Sequence, residues 1–166
     1  MKKCCLFSKA ASPLKSPKEV VIDGALKAEV AATATLATVA LCGHIEDGDA
    51  LSPVNAISHI VWGDEAYMKR DLSLKYTATG ALLNDVSVGG WAFLHEWLFG
   101  RAQDEGNIKK SLFGGVLISL LAYIVDYHCV PKRLKPGFER HLQPKSLLVI
   151  YAVLALTLGL GGKFRR

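Results

Sequence analysis

The sequence predicts an all-α, polytopic membrane fold: four transmembrane helices in a bundle plus one short interfacial or re-entrant helix. Three observations lead there. Apolar residues fill 51% of the 166 positions and gather in four long blocks, with the charges collected between them. Ionisable residues nonetheless sit inside two blocks, Asp85, His95 and Glu96 in one and Asp126 in another. A charge in hydrocarbon costs roughly 2.5–3.5 kcal/mol on insertion scales, so such groups face a bundle interior, a partner or water. Between the first two blocks lies a stretch too polar to cross but patterned as a helix.

Composition alone is ambiguous, since an ordinary soluble domain reaches about 45–50% apolar. The blockwise distribution decides. Residues 1–18 read as a basic tail holding Lys2, Lys3, Lys9, Lys15 and Lys18. No apolar run of about 7–15 residues precedes Val20, so the first span is expected to serve as an uncleaved insertion signal. Residues 19–166 form a single membrane domain, with no convincing internal repeat.

The first span is placed at about 20–42. Its second half is rich in Ala and Thr, and its first half carries Asp23, Lys27 and Glu29. Asp23 and Lys27 stand i, i+4 and can pair on one face, with Lys27 snorkelling outward. The short helix is placed at about 53–62, with Ser52 as N-cap, Pro53 at the first helical position and Gly63 as the stop. About ten residues cannot cross a bilayer that needs roughly 20. The second span covers about 76–99, the third about 111–130, stopped by Pro131, and the fourth about 147–162, anchored by Lys163, Arg165 and Arg166. Four spans put both termini on one side. The Lys and Arg residues flanking the spans favour that side as cytoplasmic by a narrow margin. Cys42 and Cys129 then share the opposite face and are expected as separate thiols, because a disulfide requires Cα atoms within about 7 Å.

Helical spacing sorts the polar residues. Asn84 and His95 are eleven residues apart, about three turns, and share a stripe; Asp85 and Glu96 repeat the relation one position over. Gly115, Ser119, Ala122 and Asp126 form a small-residue face on the third span, and Ala152, Ala155 and Gly159 a similar one on the fourth. Antiparallel packing then predicts two polar layers. One contains Asn84, Asp85, Asp126, His128 and His59. The other contains His95, Glu96, Lys27 and Glu29.

Carboxylate and imidazole in the first layer suit a metal or proton-handling site. The competing reading pairs Asp126 with Lys132 or Arg133 at the loop. For the second layer, the competing reading lets His95 and Glu96 reach the interface near Trp97 and Arg101. The chain has no H-E-x-x-H, C-x-x-C, G-x-S-x-G, P-loop or Rossmann fingerprint, and no cofactor is named by its residues. The basic loop 131–145 is tethered between two spans, which favours anionic lipid headgroups over nucleic acid.

Two strings stand out as a set: Asn55-Ala56-Ile57-Ser58-His59-Ile60-Val61-Trp62-Gly63-Asp64, and Asp126-Tyr127 followed by Pro131-Lys132-Arg133-Leu134-Lys135-Pro136-Gly137-Phe138-Glu139. With His95-Glu96 they resemble a group of uncharacterised bacterial integral membrane proteins over about residues 51–140. The resemblance implies the bacterial inner membrane and a common architecture, and transfers no catalytic residue. The expected function is that of a non-enzymatic accessory or scaffolding subunit, alone, as a homo-oligomer or in a larger membrane complex. The alternative is a membrane-embedded metal, proton or lipid-headgroup site around Asp85 and Asp126.

Overall fold

Helices form every regular element in the computed structural model, which describes residues 14–161. In chain order they are α1 (Pro17–Asp47), α2 (Ser52–Ile57), α3 (His59–Trp62), α4 (Thr79–Asp104), α5 (Ile108–Ile124) and α6 (Pro144–Leu160). One π turn, Leu74–Ala78, leads into α4, and another, Val125–Cys129, ends α5. The four long helices pack side by side in a ring. There α1 lies against α4 and α6, and α5 closes the other side against the same two.

Among the described residues, Pro17–Asp47 and Ile108–Cys129 alone are both long enough and apolar enough to cross a membrane by length and composition; Pro144–Leu160 is apolar but shorter. With 31 residues, α1 runs about 46 Å at 1.5 Å per residue. Its start is a capping box: the Ser16 hydroxyl accepts from the Glu19 amide at 3.4 Å and the Ser16 amide donates to Glu19 Oε2 at 2.9 Å. The expected basic tail therefore does not reach residue 18. Ser16 and Pro17 start the helix, Lys15 is buried beside it, and residues 1–13 lie outside the described residues. The anchor residues Lys163, Arg165 and Arg166 lie outside them too.

The short helix is divided at Ser58 into α2 and α3, and Gly63 ends it as expected. Ser52 is its first helical residue and not its cap. Leu51 stands at the N-cap without a side-chain bond, and the Asp49 carboxylate just before it accepts from the Leu51 and Ser52 amides at 2.8 and 3.2 Å and from the Ser52 hydroxyl. All six residues of α2 are buried. They sit between α1, α4 and the turns Asp64–Met68 and Phe138–Arg140, so α2 plugs one end of the ring. Asn55 fixes the following chain to this plug. Its Nδ2 donates to the Lys69 and Asp71 carbonyls at 3.0 and 3.1 Å, and its Oδ1 accepts from Thr77 at 2.6 Å.

Small residues fill the interior. In one cluster Ala31, Ala32, Ala92 and Ala122 meet Ile118 and Leu158; near the plug, Val39, Val54, Ile57, Phe138, Leu142 and Ile150 form a second. At the α5–α6 contact a Cβ on Gly115 would run into the Ala155 carbonyl, so the two backbones touch. Ser119 lies in the same seam, 3% exposed, and donates to the Tyr151 carbonyl at 2.5 Å. Of the predicted small face on the fourth span, Ala155 and Gly159 are buried and Ala152 is exposed.

The seam gives a direct test. Ser119→Leu forces α5 and α6 apart, with overpacking worth about 1–3 kcal/mol. Leu120→Ala, at a position 56% exposed, is expected to change the melting temperature far less. Equal loss in the two variants contradicts the seam.

Candidate functional site

Two polar assemblies occupy the ring, at different depths. The first lies where α1 begins, α4 ends, α5 begins and α6 ends. Its centre is Glu96, 1% exposed, with His95 beside it at 0%. Lys15 Nζ donates to Glu96 Oε1 at 2.5 Å, to Asp23 Oδ2 at 2.8 Å and reaches Asp104 Oδ2 at 2.9 Å. Lys27 Nζ approaches the other Glu96 oxygen, donates to Gln103 Oε1 at 2.5 Å and to His95 Nδ1 at 3.2 Å. An ammonium has only donors, so His95 Nδ1 is the acceptor and the ring proton sits on Nε2. That proton is donated to the Ser111 carbonyl at 3.1 Å.

The network continues into α6. Gln103 Nε2 donates to the Leu158 and Gly159 carbonyls at 3.0 Å each, and the Ser111 hydroxyl donates to Gly159 at 2.8 Å. These carbonyls end α6 and have no partner within their own helix. All four long helices therefore contribute to one set of bonds. Gly100 makes room for it: a Cβ there would stand 2.6 Å from Glu96 Oε1 and 2.8 Å from Lys15 Cε.

This corrects three expectations. Lys27 does not snorkel outward; it is 3% exposed, because Glu96 and His95 offer it acceptors inside. Nor do His95 and Glu96 reach the interface near Trp97 and Arg101. Glu29 is exposed and takes no part. Lys15, Gln103 and Asp104 belong to the site and were not predicted. The Ser16-Pro17-Lys18-Glu19 string is a capping signature that would have turned Lys15 from a tail residue into one lying at the start of a helix. Nothing in the sequence singles out Gln103.

The second assembly is a cavity of about 280 Å³ near the plug. Asn84, Ser87, Trp91, Asp126 and Tyr151 line it together with aliphatic side chains of α2, α4 and α6. Asp126 Oδ2 accepts from the Tyr151 hydroxyl at 2.6 Å. Its expected partners Lys132 and Arg133 do not reach it: both are exposed, and Arg133 instead donates to the Ile60 and Val61 carbonyls at 3.1 and 3.4 Å.

The predicted first layer is thus brought together only in part. Asn84 and Asp126 share the cavity. Asp85 faces away from it and lines a shallow groove between α1 and α4 with Glu29. Adjacent helical positions point about 100° apart, so the stripe of Asn84 and His95 faces the ring interior while that of Asp85 and Glu96 faces α1. His128 is exposed on the π turn. His59 is buried elsewhere, donating from Nδ1 to the Ala56 carbonyl at 2.9 Å and stacking on Tyr67. Among the described residues no three His, Cys, Asp or Glu side chains come together to hold a metal. Cys42 and Cys129 are free thiols.

Lys15 carries a consequence for pH. Burial works against its charge, and the bonds to Asp23, Glu96 and Asp104 outweigh burial, holding its pKa above the ordinary lysine range. A raised lysine contributes stability that is complete below its unfolded pKa and lost as pH rises through the folded value. Thermal stability is therefore expected to hold from neutral to mildly alkaline pH and to fall only above the ordinary lysine range. Lys15→Ala should lower it already at neutral pH. Glu96→Leu removes the carboxylate that Lys15 and Lys27 share, leaving Lys15 with Asp23 and Asp104, and should cost about 3–5 kcal/mol. A Glu96→Leu protein as stable as the wild type would remove the network from its central place. The chain matches no protein-family model, no curated protein and no solved structure.

Proposed function

We propose that this chain is a multi-pass integral membrane protein of the bacterial inner membrane, a non-enzymatic accessory or scaffolding subunit. In this reading α1, α4, α5 with its π turn, and α6 are the four crossings of a bundle. The observation that carries the reading is an inverted distribution of side chains. Large apolar groups stand exposed along the long helices, among them Ile22, Leu26, Val86, Phe113, Leu120 and Leu148. Alanines, glycines and a fully bonded ion network lie inside. In water so many exposed large apolar groups would invite association; in lipid they are the solvent-matched surface.

The scaffolding assignment follows from how the buried polar atoms are used. Glu96, His95, Lys27 and Gln103 bond to one another and to helix ends. The arrangement specifies which helix lies beside which. A buried charged set of this kind is retained for register more readily than for net stability. The surface left for partners is lipid, including anionic headgroups at the basic loop 131–145, and a second copy or a larger membrane complex. Leu14 and Gly161 lie at the same end as the Asp104–Ile108 turn, which supports an even number of crossings.

Alkaline carbonate extraction of bacterial membranes tests the first part. The protein is expected in the pellet, and release to the supernatant overturns the reading. Cysteine labelling tests orientation. With cytoplasmic termini, a membrane-impermeant maleimide added to intact cells should reach the exposed Cys129 and spare Cys4 and Cys5. The reverse pattern would invert the topology.

A further inference from the structure

We infer that the cavity beside Asp126 is a binding site for an amphiphilic alcohol or amine. Its apolar walls are built from Ile57, Leu83, Val88, Phe138, Ile150 and Leu154. Its polar groups are unequal in kind. Asn84 donates from Nδ2 to the Ala32 carbonyl at 3.0 Å, and its Oδ1 has no hydrogen-bond partner among the described residues. Asp126 receives the Tyr151 hydroxyl on Oδ2 at 2.6 Å, and its Oδ1 likewise has none. Thr35 turns its hydroxyl back onto the Ala31 and Ala32 carbonyls at 2.9 and 3.0 Å. The wall thus holds two open acceptors on different helices, Asn84 Oδ1 and Asp126 Oδ1, with the Ser87 hydroxyl and the Trp91 indole N–H as donors beside them. A ligand that matches the carboxyl group brings a donor of its own.

That chemistry selects the headgroup. A hydroxyl or an amine donates to Asn84 and Asp126. A carboxylate or phosphate brings acceptors and negative charge to a carboxyl group, and is disfavoured. Access is lateral. Val86, Ser87 and Leu134 line the cavity and are exposed, with Val86 at 68%, so the mouth lies between α4 and the loop after α5. At about 280 Å³ the space falls just short of the roughly 300–1,000 Å³ of drug-sized pockets. It takes the head and first carbons of a chain whose remainder stays outside. The site rests on the membrane reading for the route by which such a ligand arrives.

Trp91 lines the cavity and is a built-in reporter. Of the three tryptophans, Trp62 and Trp97 are exposed, so Trp62→Phe with Trp97→Phe leaves Trp91 alone. The probes are ω-bromododecanol, ω-bromododecylamine and ω-bromododecanoate, added to the full chain in detergent micelles. Saturable quenching of Trp91 by the alcohol and the amine is expected, with the carboxylate at least about tenfold weaker, the scale of one charged hydrogen bond. Ser87→Phe, at the exposed rim, should abolish saturable quenching without lowering the melting temperature. Asp126→Asn should keep the alcohol and cut the preference for the amine. Quenching that rises linearly with micellar mole fraction for all three probes overturns the site, as does equal quenching by the carboxylate or an unaffected Ser87→Phe. Carbonate extraction fails or succeeds independently of this assay. A chain released by carbonate that still binds saturably keeps the pocket and loses the membrane route.

Discussion

Glu96 faces an ammonium group with each of its oxygens, Lys15 on one side and Lys27 on the other. A lone carboxylate at that depth would carry a desolvation penalty of several kcal/mol, and so would either lysine alone. These charges are tolerable because they meet, with Asp23 and Asp104 completing the surroundings of Lys15, and bringing them together fixes much of the structure. Lys27 requires α1 to lie against α4. Lys15 requires the chain before Pro17 to return over the end of α4. Gln103 and Ser111 extend the constraint to α6 and α5 through carbonyls that would otherwise be orphaned. The small residues at Gly100 and Gly115 are permissive in this scheme: they let groups approach that electrostatics and hydrogen bonding then hold.

The two polar assemblies differ in how complete they are. At the ion network each donor has an acceptor within the ring. At the cavity Asn84 Oδ1 and Asp126 Oδ1 stay open, and the neighbouring Tyr127 hydroxyl is buried without a hydrogen-bond partner among the described residues. Closed polar groups hold a structure; open ones interact with something else. Of the tyrosines around Asp126, Tyr127 belongs to the second kind. Tyr123, Tyr127 and Tyr151 pack edge to face or tilted at 5.0–6.2 Å, a rigid wall that keeps the carboxyl group pointed at the space.

Much of the architecture was legible because it rests on local pattern. The four long apolar blocks became the four long helices, and the stop at Gly63 and the small face of Gly115 and Ser119 lie where spacing put them. Eleven-residue spacing paired Asn84 with His95 and Asp85 with Glu96. It could not say which stripe faces the ring centre, because that depends on the direction from which α1 approaches. The expectation that Asp85 and Asp126 share a site was therefore one helical position off: Asn84 is the neighbour. Lys27 was misjudged for a related reason. Snorkelling is the default for a lysine near a helix end, and only the arrival of Glu96 from 69 residues away overrides it. The run of lysines reads as a tail, whereas the Ser16–Glu19 capping box marks a helix start and sets Lys15 against it.

The contact between the first and last helices sets an order of events. Glu46, near the end of α1, accepts from the Gln143 amide at 2.8 Å and from the Ser146 hydroxyl at 2.6 Å, supplying the cap that α6 lacks in its own sequence. At the opposite end α6 returns the favour by giving Gln103 and Ser111 their acceptors. A nascent chain that has emitted α1, α4 and α5 thus holds an unmatched carboxylate at one rim and unmatched donors at the other. Closure of the ring must wait for α6, whose Gln143 follows Glu46 by 97 residues, and the entropic cost of that long loop falls in one late step. A chain stopped before α6 would be recognisable by its exposed polar groups at both rims, so one helix completes the bonding of both.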